Sequence, residues 1–176
     1  MYRLVMMILW AALLGAQSPP KKPRTLREVL LEQLHTTHDQ EDWFVPISIA
    51  VEGLTAEQAK WTDGHGDHSI GQIVTHLAFW NQRNLDRFEG RKPGAYDGNN
   101  DETFNSFDSK TWAETVKRLD TVMKNWEHAV EKADDTKLAE AASQIAHIGT
   151  HNAYHLGQIL YVRKQQGVWD PAKGVK

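Results

Sequence analysis

"TKLAEAASQIAHIGTHNAYHLGQILYVRKQ" (residues 136–165) runs without a proline. At about 100° per residue, Leu138, Ala141, Ile145, Ile148, Leu156 and Ile159 fall on one face of a single long helix. A helix of this length with one apolar face needs other elements to cover it. The same stretch carries His147, His151 and His155 at a constant spacing of four. That spacing admits three readings: three ligands for one metal, two ligands and a bystander, or three polar residues on a helix.

Elements able to cover this face stand upstream. A third helix is predicted from near Asp108 or Ser109, with Trp112, Val116, Leu119, Val122 or Met123, and Trp126 as its stripe. A second starts at Ser69, a good N-cap, and places Ile70, Ile73, Val74, Leu77, Trp80 and Phe88 at helical period. Between them, residues 89–107 read as a long polar loop with Gly90, Pro93, Gly94 and Gly98. Loops this long usually cross between bundle ends or carry function. A first helix opens at Thr25, which with Glu28 forms a capping-box pattern, and offers Leu26, Val29, Leu30 and Leu34 as its face. Pro46 is expected to kink or interrupt it. "GLTAEQAKW" (53–61) reads as a turn and a short helical piece capped by Thr55. Gly167 ends the fourth helix. With no strand pattern and no internal repeat, the expected fold is all-α: a four-helix bundle with a long loop between the second and third helices.

The chain has 176 residues, a length that fits one domain, here 25–169 with a tail over 170–176. Its net charge of -3, with no basic run after the first 30 residues, gives no sign of a nucleic-acid partner. There is no Cys. That excludes a disulfide, a catalytic thiol and a thiolate metal site, so a metal must be held by His, Asp, Glu or backbone. Residues 1–16 have the layout of a secretory signal peptide: Arg3, an apolar run from Leu4 to Leu14, then Gly15 and Ala16. Cleavage after Ala16 is expected, with 17–24 as a Pro-containing linker, a secreted or periplasmic location, and no stable membrane span afterwards; Leu14 three residues before the cut leaves an uncleaved N-terminal anchor as the alternative.

On the helical wheel His151 and His155 lie about 40° apart at the border of the apolar stripe, and His147 is turned about 40° further toward solvent. An i, i+4 pair lets two imidazoles reach one ion. A third ligand has to come from another helix, and His76, beside Ile73 and Trp80 at its own stripe's border, is the best candidate. Three His plus water make an open metal site. His35, His38, His65, His68 and His128 have no partner legible in the sequence, and most are expected at the surface.

"HSIGQIVTHLAFWNQ", "GLTAEQAKW" and "HNAYHLGQILYVRK" together resemble the DinB-like family of metal-binding four-helix bundles, over nearly all of residues 25–169. The most specific part is one His in the second helix followed far downstream by HxxxHxGQ in the last. The resemblance implies a divalent metal, nickel or zinc, held by His76, His151 and His155, with His147 outside the triad. It further implies a small-molecule substrate and a possible homodimer. Gln158 stands one turn from Tyr154 and is weighed as a helper of the site or, more readily, as a packing residue. Gly149 and Gly157 are expected to permit close helix approach. Trp80 is expected to pack at the core edge or to wall the groove.

Three functional readings follow from the resemblance. One is a transferase that activates a low-molecular-weight thiol. Another is a metal-dependent hydrolase, for which no Glu or Asp stands next to the triad in sequence. The third is a non-enzymatic envelope metal-binding or stress protein, with His147 as a possible fourth ligand.

Overall fold

The computed structural model describes residues 24–174. The signal-peptide segment and residues 17–23 of the linker lie outside the described residues, as do the last two residues of the tail. Seven α-helices and no strand are found among the described residues. They are α1 (Leu26–His38), α2 (Ile47–Val51), α3 (Ala56–Lys60), α4 (Ile70–Phe88), α5 (Glu102–Asn105), α6 (Trp112–Lys132) and α7 (Asp135–Gln165). None is long and apolar enough to cross a membrane.

The four long helices form the bundle. Each of α1 and α4 packs against both α6 and α7. The core between them holds Leu77, Trp126, Ile145, Leu156 and Ile159, all almost or wholly buried. Burial of side chains of this size stabilises the fold by roughly 1.5–3 kcal/mol each before the entropy of ordering is counted. The helix starts follow the capping chemistry of the sequence. Thr25, Thr55 and Ser69 each accept from a backbone N–H three residues on, and the Glu or Gln there reaches back to the cap's own N–H.

Two local expectations change. Pro46 neither kinks nor interrupts a helix. The first helix has already stopped at His38, and Pro46, with an extended backbone, is the N-cap of α2. A missing N–H costs nothing there, because the first turn of a helix has no acceptor for it. On α1, Leu30 and Leu34 are buried, but Leu26 and Val29 stay exposed because neighbouring helices meet only the inner part of the expected face.

The connection 89–107 is not featureless. It carries α5, and Thr103 and Phe104 within it are buried. Its register on α4 is set by a close approach at Gly71, where an added Cβ would fall on the Phe107 ring. Gly149 lies against Gln33 Cβ, at 3.3 Å from an added Cβ, as close approach requires; Gly157 faces open space, so its predicted packing role is not seen.

At the interface of α4 and α7, two fully buried amides pair. Asn81 Nδ2 donates to Asn152 Oδ1 at 2.8 Å, and Asn152 Nδ2 donates to Asn81 Oδ1 at 3.3 Å. Trp126 Nε1 donates to the Asn81 carbonyl at 3.0 Å, which ties α6 to the same point. Such pairs fix register, since a slip of one residue would leave both amides unpaired in the core.

Candidate metal centre

Close to the amide pair, α4 presents His76, five residues before Asn81, and α7 presents His151 and His155, one residue before and three after Asn152. One ring nitrogen from each lies within 4.8 Å of the others, and no carboxylate joins this cluster among the described residues. His76 and His155 are nearly buried, at 4% and 6% exposure; His151 is half-buried. The His76 and His151 Nε2 atoms are 3.2 Å apart. Two nitrogens bound to one tetrahedral ion at about 2.05 Å would lie about 3.3 Å apart, so the spacing fits a shared cation.

The outer nitrogens are held. Thr103 donates its hydroxyl to the Asn100 carbonyl at 2.6 Å. Its oxygen is therefore free to accept from His76 Nδ1, also at 2.6 Å. Gln158 Oε1 accepts from His155 Nδ1 at 2.6 Å, while Gln158 Nε2 donates to the Tyr154 hydroxyl at 3.2 Å. Both bonds place the ring proton on Nδ1 and leave the Nε2 lone pair directed into the cluster. Gln158 thus orients a histidine, the lesser of the two roles weighed for it from sequence.

Electrostatics keep the rings neutral. Burial, reinforced by His155 and His151, lowers the His76 pKa to about 3. Burial and His155 lower that of His151 to about 4. His155 is also lowered by burial, against the opposing bond to Gln158. A metal ligand must be unprotonated, so the cluster offers three ready donors.

The loops complete the site. His76 stacks on Phe104 at 3.8 Å, and Phe104 stacks on His68 at 3.9 Å, a sandwich of one phenyl ring between two imidazoles. Trp80 Nε1 donates to Asn100 Oδ1 at 3.2 Å, pinning the long connection to α4. The cluster opens into a groove of about 870 Å³, walled in part by Trp80, Phe104 and Ile148. Trp80 therefore lines the groove, the second of its two expected roles.

The other histidines separate. His147 lines the groove but stands outside the cluster, its Nδ1 3.5 Å from Ser143 Oγ. His65 and His128 are exposed, as expected. His38 is not a surface residue: it is buried between α1 and α6, with Nδ1 2.7 Å from Glu127 and Nε2 3.1 Å from Asp120. Burial alone would lower its pKa, but the two carboxylates outweigh that and raise it.

Thr103 and Phe104 were not anticipated, because they arrive from a loop whose path no periodicity encodes; His68 stood out in the sequence only as preceding the helix that carries His76. A polar loop carrying an isolated "TFN" between bundle helices was the one available signal.

A family model described as the DinB superfamily matches residues 47–159, more than half of the chain and a span that contains all three clustered histidines. No curated protein and no solved structure matches it.

Proposed function

The chain belongs to the DinB superfamily, and on that premise we propose that it is a divalent-metal protein acting on a small molecule. His76, His151 and His155 are the proposed ligands, and nickel or zinc the proposed ion. The observation that carries this reading is the three-imidazole cluster at the floor of an open groove. Three neutral ligands leave the charge of a dication uncompensated, and when bound the ion would favour the anionic form of a thiol or water beside it. The chain's residues do the positioning. Thr103 and Gln158 hold two of the rings, Phe104 and Ile148 shield them, and the groove admits the small molecule.

The transferase reading, with a low-molecular-weight thiol as co-substrate, is favoured by the donor set and the family. The hydrolase reading is less supported, because no carboxylate stands in the cluster to move a proton. The N-terminal layout supports an envelope location.

Cobalt(II) substitution tests the reading. A thiol that reaches an open coordination position produces a sulfur-to-cobalt absorption band, and azide perturbs the visible spectrum. Both responses are expected. A spectrum indifferent to thiol and azide would indicate a closed site and favour the non-enzymatic reading.

A further inference from the structure

The groove has a second end. On α7, Glu140, Gln144, His147 and His151 recur at three or four residues; on α4, His76, Trp80 and Asn84 recur at four. Both series therefore form rows along one cavity. The helices run antiparallel across it. His76 and His151 meet at one end, and Gln144 Nε2 donates to Asn84 Oδ1 at 3.3 Å toward the other. At 1.5 Å per residue, Glu140 sits about 16 Å along the axis from His151.

Glu140 is exposed, lines the groove, and has neither hydrogen bond nor ion pair among the described residues. Among the described residues it is the one carboxylate in the lining, and no Lys or Arg lines the cavity. Arg87 touches Asn84 Oδ1 at 3.5 Å but is not part of the lining. Between the two ends the polar wall consists of the amides of Asn84, Asn100 and Gln144, the hydroxyl of Ser143 and the imidazole of His147.

We propose that the groove selects an elongated small molecule by charge, with a metal-binding donor at the histidine end and an ammonium or other cationic group at Glu140. The donor end rests on the metal reading above; the Glu140 end does not. An unpaired carboxylate in an open groove attracts cations, and solvent screening at this exposed position keeps the effect to a few-fold. Away from an ion at the histidine end, a ligand carboxylate meets one lining anion and no Lys or Arg among the described residues. Thiols with two carboxylates are therefore disfavoured, and amine-bearing or neutral ones are preferred.

The test uses three thiols of one length, with terminal amine, alcohol or carboxylate on an 11-carbon chain, which spans about 14 Å. Short analogues (cysteamine, 2-mercaptoethanol, thioglycolate) cannot reach Glu140 from the histidines. Calorimetric titration is run on cobalt-loaded and metal-free protein, so the head-group order is read whether or not cobalt is held. The expected affinity order in the long series is amine, alcohol, carboxylate, about threefold per step, with no such order in the short series on cobalt-loaded protein. Glu140→Gln should flatten the order, and Glu140→Lys should reverse it. Equal affinities in the long series, or an order unchanged in both variants, would overturn the proposal. Absence of cobalt binding with the order intact would instead sink the metal reading alone.

Discussion

Asn81 and Asn152 exchange side-chain hydrogen bonds at 2.8 and 3.3 Å where both are completely buried, and this pair sets α4 against α7 next to the three histidines. Removing either amide leaves a buried polar group without its partner, a loss of about 1–3 kcal/mol. Asn81→Ala and Asn152→Ala are each expected to lower the urea-unfolding free energy by that amount. The double variant should lose less than the sum, a coupling of at least about 0.5 kcal/mol. Strict additivity would mean that the two amides act independently.

Gln158 and Thr103 hold the outer nitrogens of His155 and His76 at 2.6 Å each. Gln158→Leu and Thr103→Val should each weaken metal binding by about 10- to 100-fold while leaving the helical circular dichroism unchanged. Tyr154→Phe, which removes only the 3.2 Å bond to Gln158, should have a much smaller effect. Competition with a chromophoric chelator measures all three.

The pH dependence of metal-free stability has two opposing parts. His76 and His151 have folded pKa values of about 3 and 4, below the ordinary 6.5. The unfolded chain therefore binds more protons below pH 6.5. Their contribution is full above that value and is lost as pH falls toward the folded values. His38 is raised, so its contribution is full below about 6.5 and is lost as pH rises through its folded value. Thermal unfolding across pH 5–9 should show His38→Gln costing more at the acid end than at the alkaline end. The double variant His76→Ala/His151→Ala should shrink the acid-side loss, leaving the part that His155, also lowered by burial, contributes. A His38→Gln penalty that does not vary with pH would contradict the charged His38 pair.

Gly71 meets the Phe107 ring of the long connection where a Cβ would stand. Gly71→Ala should destabilise the protein by about 1–3 kcal/mol. The shift should also raise protease cleavage within 89–107, seen as new fragments in limited proteolysis.

The sequence carried the helices because their causes are local. A hydroxyl at the starts of α1, α3 and α4, a glutamate or glutamine three residues later, and apolar residues at helical period needed no knowledge of the partner helices. The pairing of His76 with His151 and His155 was legible for the same reason, since all three stand at stripe borders on helices whose faces must meet. Asn81 and Asn152 were missed because an asparagine inside an apolar face looks like a defect until its partner, 71 residues away, is in place. His38 was misplaced because Glu127 and Asp120 come from another helix, and charge pairing across a bundle leaves no spacing signal. Glu140 stands 11 residues before His151, too far for a search among the triad's neighbours, yet it shares their groove through helical period.

The central claim is that His76, His151 and His155 hold one divalent ion. The most direct measurement is metal per chain, by mass spectrometry, on untagged protein produced with mixed trace metals, with His76→Ala, His155→Ala and His147→Ala beside it. About one ion per chain is predicted for the parent and for His147→Ala, and almost none for His76→Ala and His155→Ala. A parent free of metal even after reconstitution, or a His155→Ala variant that retains a full equivalent, would contradict the account.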